Sequence, residues 1–368
     1  MVKIDIEVMT VSIKENFYND IEKRAYTMYE QYKYLIEKGF GNEDEVSKYQ
    51  LKFNFLNNLE LGGKAWVKNN FDYIQINTGV IDNFLDYFYD LTKNETNKFL
   101  SRLPFNFEEG DSTSYEMIKF NADGTAILYD SKIIDEKLAG LLTIFVSRFI
   151  VSHELGHILN GHCKFLNSKR ENSIQYIPMF SEDNNSTDNI LSPLDFRTLE
   201  MDADAFAATD SIKNLIMLYW KFDENVDKDI NIKPSELFYW WSFAIRSNFL
   251  ITQKILNEEK YKPSKKHLPS VARWMLILSS SLDLIDKQVD TINFKDGDDK
   301  QKILQEIIDG YLYAEKCYNE RFSTFFNCYE ETKENKDFHT FVNETQQNWE
   351  IIREELDEFS RLILYKRQ

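Results

Sequence analysis

Ten consecutive residues, His153-Glu154-Leu155-Gly156-His157-Ile158-Leu159-Asn160-Gly161-His162, place two imidazoles four positions apart with a carboxylate between them. On an α-helix four residues turn through about 400°, so His153 and His157 project from one face and can bind a single metal ion. Glu154 lies about 100° round from His153, where it can flank the ion without ligating it. A carboxylate so placed suits a general base that takes a proton from a metal-activated water attacking a carbonyl.

A catalytic zinc usually takes three protein ligands and leaves a fourth position for water, so one more ligand is needed. Metzincins supply a histidine at the tenth position through a glycine at the seventh; here those positions are Cys163 and Asn160. If the helix runs on through Gly161, His162 points about 180° from His153 and is a helix-end residue outside the metal site. The stronger candidate lies in Arg197-Thr198-Leu199-Glu200-Met201-Asp202-Ala203-Asp204-Ala205-Phe206-Ala207-Ala208, whose alanines favour helix and leave room for close packing. Glu200 and Asp204 share a face there. Glu200 is the expected third ligand, and Asp204 is expected to accept a hydrogen bond from the far nitrogen of a ligating histidine, fixing its tautomer. Asp202 reads as a solvated residue of the same helix.

HELGHILNGH followed by LEMDADAFAA resembles the gluzincin arrangement of HExxH plus E-x-x-x-D, and most closely the cytoplasmic zinc proteases of the Lit phage-exclusion type. Integral-membrane CAAX-processing proteases share both elements. The resemblance covers roughly residues 70–275. It implies a zincin-like core, Zn2+ held by His153, His157 and Glu200, and an intracellular endopeptidase that cuts a host protein. A further segment, His267-Leu268-Pro269-Ser270-Val271-Ala272-Arg273, is similar to the H-P-x-x-x-R stretch of several gluzincins, with an extra residue between His and Pro. Its His267 or Arg273 could stabilise a tetrahedral oxyanion. Against this, His267 follows Lys265 and Lys266 in what reads as an exposed turn, and Arg273 opens an apolar helix where it could simply pair with an acid.

These residues need elements to hold them. The run from Ala139 to Val151 is apolar nearly all round, which reads as a buried helix interrupted by Arg148. The run is shorter than the roughly 20 residues a bilayer requires. Phe71–Asn77 reads as a half-buried strand; at a sheet edge beside the metal helix, its free backbone groups would hold an extended peptide. Val2–Val8 alternates like a strand. Ala25, Met28, Tyr29, Tyr32, Leu35 and Ile36 recur at helical spacing before a capping Gly39. Thr125–Tyr129 reads as another strand, and Ser181–Asn189 as a polar loop between the two metal elements. Beyond a polar break near residues 293–300, Ile303, Ile307, Tyr311, Trp349, Ile352, Leu356 and Phe359 mark amphipathic helices that pack on the core or read a partner. The predicted fold is α+β and mostly helical: a zincin-like core with a small β-sheet beside the HExxH helix and a helical C-terminal extension. The expected divisions are 1–64, 65–290 and 291–368.

The net charge of −17 disfavours nucleic acid and anionic membranes as partners and suits a soluble protein, or one that receives a basic partner; the expected partner is a protein or peptide substrate. The start lacks the basic and apolar pattern of a secretory signal, and three scattered cysteines suggest no disulfide framework, so a cytoplasmic location is expected. Two rival readings stay open. One is a metal-dependent amidase on a small substrate; the other is a non-enzymatic sensor or scaffold whose structural zinc is closed by His162 or Cys163.

Overall fold

The computed structural model describes residues 11–41, 48–100, 119–120, 126–127, 134–169, 177–178, 191–225, 235–256, 263–264, 267–289, 298–325, 327–333 and 335–364. The expected strand Val2–Val8 and loop Ser181–Asn189 lie outside them, as does most of Thr125–Tyr129. The organising element is α3 (Ile134–Leu159), which carries the HExxH residues in its last two turns. A helix apolar on every side must be covered on every side. It is enclosed by α1 (Val11–Leu35), α2 (Thr78–Leu100), α5 (Pro193–Asn225) and α6 (Glu236–Leu256), and it also touches strands β2 (Gly63–Lys68) and β3 (Phe71–Asn77).

The length argument against a membrane span does not hold. Leu138–Leu159 is long and apolar enough to cross a bilayer by length and composition, and it is the packing that accounts for it: 94% of its most apolar stretch is buried within the fold. Two of its internal hydroxyls are absorbed by the helix itself, since Thr143 and Ser147 donate to the carbonyls of Ala139 (2.7 Å) and Thr143 (2.6 Å).

The small sheet runs β1 (Gln50–Leu56), β3, β2, β6 (Ile177–Pro178), and β4 (Lys119–Phe120) pairs separately with β5 (Ala126–Ile127). β1 and β3 are parallel and β2 and β3 antiparallel. β3 is therefore central, with its backbone paired on both sides; of the two readings of Phe71–Asn77, an edge that binds peptide or a structural strand, the pairing gives the second. Its inward face is Asp72, Ile74 and Ile76, leaving Phe71 and Tyr73 half-buried. The division expected at residue 64 falls inside β2, and β1 belongs to the same sheet.

The downstream helices close the structure. α7 (Ser270–Val289) packs on α5, and α8 (Asp298–Phe322) lies along α6. After the short α9 (Cys328–Lys333), α10 (Lys336–Leu356) rests on α5 and on the short α4 (His162–Ser168). Ile303, Ile307, Tyr311, Trp349, Ile352 and Leu356 are buried as their spacing predicts, while Phe359 falls beyond the helix end. At the other end of the chain, Gly39 adopts φ 91° in a π-helical turn after α1, the left-handed conformation expected of a cap.

The segment after α10 ties the ends of the fold together. The backbone N–H of Arg361 donates to the Leu159 carbonyl at the end of α3 (2.9 Å). The Arg361 guanidinium, fully buried, grips both oxygens of Asp72 on β3, one at 2.7 Å, and lies over the Tyr49 ring. Tyr29 of α1 donates to the same carboxylate (2.5 Å). Removing one partner from such a pair strands the other charge in a medium that cannot solvate it. Arg361→Ala should therefore cost about 3–5 kcal/mol in denaturant unfolding, and a cost below about 1 kcal/mol, the level of an exposed pair, would show that Asp72 finds other solvation.

Candidate metal centre

α3 and α5 approach closely where Gly156 meets α5. A Cβ built on Gly156 would stand 3.2 Å from Phe206 Cβ and 3.3 Å from Ala203 Cα. This contact between two small residues lets Glu200, one turn before Asp204, reach across to the HExxH face. His153 Nε2 and His157 Nε2 are 3.1 Å apart. Glu200 Oε2 is 3.3 Å from the first and Oε1 is 3.4 Å from the second. A tetrahedral metal with bonds of about 2.0–2.1 Å has ligand–ligand edges of about 3.3 Å. These spacings are near those edges, with each Glu200 oxygen facing a different imidazole, and together the three side chains could hold a metal ion.

The partners of each ligand follow from burial, because none of these groups reaches water. Asp204 Oδ1 lies 2.9 Å from His153 Nδ1, and Arg273 donates to Asp204 through Nε (2.7 Å) and Nη2 (2.8 Å). Arg273 also stacks on the Phe249 ring. Of the two roles considered for Arg273, pairing with an acid is the one the geometry displays. Burial alone would lower the His153 pKa, but its hydrogen bonds and charge interactions with Asp204 and Glu200 outweigh that and lift it to about 10. For His157 burial prevails over Glu200 and brings it to about 4. Glu200 is held well below the usual carboxylate range because His267, His153 and His157 together overcome the burial that would raise it. Asp204 is held low against burial chiefly by Arg273.

Glu154 is fully buried, and neither of its carboxylate oxygens has a hydrogen-bonding partner among the described residues. Burial pushes its pKa to about 8; the charge of His153 opposes this and that of Glu200 adds to it. An unpartnered carboxyl beside a ligand cluster is the arrangement a cation would satisfy.

Three expectations need correction. His267 does not sit in an exposed turn: it is 3% exposed, with Nδ1 3.3 Å from Glu200 Oε2, because Leu268 and the start of α7 pack inward behind it. The helix does not continue through Gly161. That residue takes φ 86° and turns the chain, so His162 begins α4 with Nδ1 2.9 Å from His157 Nδ1. Asp202 is not a merely solvated acid, for His162 Nε2 lies 3.0 Å from its Oδ2 and Asn160 donates to the same oxygen (2.6 Å). Neither His162 nor the buried thiol of Cys163 joins the ligand group. The Asn160-Gly161 pair was the sequence signal for the reversal, since a glycine after the last helical turn commonly takes the left-handed conformation.

Compared with protein-family models, with curated proteins and with solved structures, the chain matches none.

The Glu154 carboxyl gives a test with a definite sign. The unfolded chain releases this proton near 4.5 and the folded one near 8, so the metal-free protein loses stability as pH rises between those values. Metal-free Glu154→Gln should melt several degrees above wild type at pH 8–9, with the gap closing towards pH 5, in thermal unfolding with a chelator present. A gap that does not change with pH would show that burial does not hold the proton on Glu154.

Proposed function

We propose that this chain is a zinc-dependent endopeptidase with a gluzincin-type site, acting inside the cell on a protein substrate. The observation that carries the reading is the coincidence of two features in one place. Two imidazole nitrogens and a carboxylate stand at spacings close to those of a zinc ligand set, and beside them is a carboxyl with no hydrogen-bonding partner among the described residues. Two histidines and one carboxylate with an open fourth position are the donor set of hydrolytic zinc sites.

His153, His157 and Glu200 would hold the ion. When bound, zinc supplies a Lewis acid and lowers the pKa of a water in its open position towards about 7. Glu154 takes the proton from the attacking water and returns it to the leaving amine. Asp204 holds His153 with its Nδ1 proton directed away from the metal face, and Arg273 holds Asp204. His267, at the rim of Glu200, is the side chain placed to donate to oxygen as negative charge develops there. Cys163 and Cys317, buried and outside any disulfide, suit a reducing compartment. Defence by cleavage of a host protein is the role that the sequence resemblance suggests.

A second reading, a structural metal centre without catalysis, is favoured by the burial: His153, Glu154 and His157 are fully covered and Glu200 is 3% exposed. A protease with this site must open before it can admit a peptide.

Metal content and peptide-bond cleavage, measured together in three proteins, separate the readings. Wild type should carry one zinc per chain. Glu154→Gln should keep the metal and lose at least about 100-fold in activity, the scale of a general-base contribution. Glu200→Ala should lose both. Normal zinc binding by Glu200→Ala would remove Glu200 from the ligand set, and undiminished cleavage by Glu154→Gln would remove the general base. Zinc retained without cleavage in the wild type selects the structural reading.

A further inference from the structure

Both imidazoles of the HExxH pair direct Nε2 to the common face, so both must carry their protons on Nδ1 if those lone pairs are to bind a cation. What receives each Nδ1 proton differs. His153 meets the Asp204 carboxylate. His157 meets the ring nitrogen of His162 at 2.9 Å. With His157 the donor, His162 Nδ1 must be the acceptor, which places the single proton of a neutral His162 on Nε2. That nitrogen is the one that faces Asp202 Oδ2 at 3.0 Å. Every contact in the row is satisfied by one assignment of protons. It also accounts for the exclusion of His162 from the ligand group, because neither ring nitrogen keeps a lone pair for a metal.

We propose that His162 and Asp202 form an imidazole–carboxylate chain that fixes the tautomer and ring orientation of His157 for metal binding, a positioning role that rests on the metal-centre reading above. The turn at Gly161 makes it possible. Five residues along a continuous helix would rotate His162 about 140° from His157. The left-handed conformation of Gly161 instead folds the chain back so that the two rings meet edge to face, with centroids 5.1 Å apart. A Cβ at Gly161 would stand 2.6 Å from the Phe359 carbonyl carbon, so the reversal is also locked against the segment after α10. Asn160, on the same turn, donates to Asp202 (2.6 Å) and steadies the carboxylate. The two ligand histidines therefore have unlike supports: a carboxylate clamped by Arg273 behind His153, and a neutral imidazole relaying to Asp202 behind His157.

The test uses the full chain, with zinc affinity measured by competition with a chromogenic chelator and the fold checked by circular dichroism. Loss of such a hydrogen-bonded support typically weakens metal binding by about 10- to 100-fold, the loss expected for His162→Phe. His162→Asn, whose side-chain oxygen can stand where Nδ1 was, should recover most of it. Asp202→Ala should weaken binding in the wild-type background and change nothing further in His162→Phe. Zinc affinity of His162→Phe equal to wild type overturns the proposal, as do equal losses in the Phe and Asn variants. If His162→Phe does not fold, imidazole 15N NMR of the zinc-loaded wild type decides. The proposal requires a proton on Nε2 of His162 and a coupling across the His157–His162 hydrogen bond, and a proton on His162 Nδ1 overturns it. Failure of the metal-centre reading looks different: wild type then takes up no zinc, or His157→Ala binds it as tightly as wild type does.

Discussion

Two helices that must touch at small residues set the rest of this structure. α3 is apolar on every side and carries the HExxH group in its final turns, so the group is buried wherever the helix is buried. Burial without partners would be prohibitive for two imidazoles and a carboxylate. The close approach of α5 at Gly156 brings Glu200 and Asp204 to the same face. A side chain at Gly156 would press on Phe206 and Ala203, and α5 would have to yield by a few tenths of an ångström to keep Glu200 and Asp204 in place. Packing and polar satisfaction are here one constraint.

The same balance recurs wherever charge enters the core. Asp204 is met by Arg273 from α7, Asp72 by Arg361 from the segment after α10, and Asp210 by Arg148 of α3 (3.0 Å). Asp210 also accepts from Ser152 (2.8 Å) and Tyr32 (3.0 Å), which connects α1, α3 and α5. Buried pairs of this kind add little net stability against a well-packed apolar core, but breaking one is costly. Their effect is to penalise alternative packings, since any arrangement that separates the partners leaves a charge unsolvated. Each ties an element to one far away in the chain, so the metal face depends on contacts spread from Tyr32 to Arg361.

The closed site has a chemical consequence. In a medium poorer than water, the charges around Glu200 act on one another strongly: three histidines hold it ionised, while Glu154, with no such partner, keeps its proton to higher pH. Two carboxylates 46 positions apart in the sequence are thereby driven in opposite directions, one kept ionised and one kept protonated. That is the division of labour the proposed hydrolytic site would use.

Much of this was legible beforehand. The four-residue spacing of His153 and His157 survives folding because a helix turns by the same angle wherever it sits, and the alanines of α5 announced a close helix contact for the same local reason. The mostly helical α+β class and the inward faces of α8 and α10 followed from periodicity. What depends on long-range pairing was not legible. The position of β3 at the centre of its sheet is decided by strands on either side, not by its own pattern. The burial of His267 is decided by the packing of α7, although the lysines before it argued for exposure. The roles of His162 and Asp202 hinged on one residue, Gly161, whose permissive backbone allows both a continued helix and a reversal. Local spacing alone determined that this chain could present a metal-binding pair with a neighbouring base. Only the tertiary structure decided which distant groups complete it, because charges and hydrogen bonds inside a core are settled by whatever the fold places beside them.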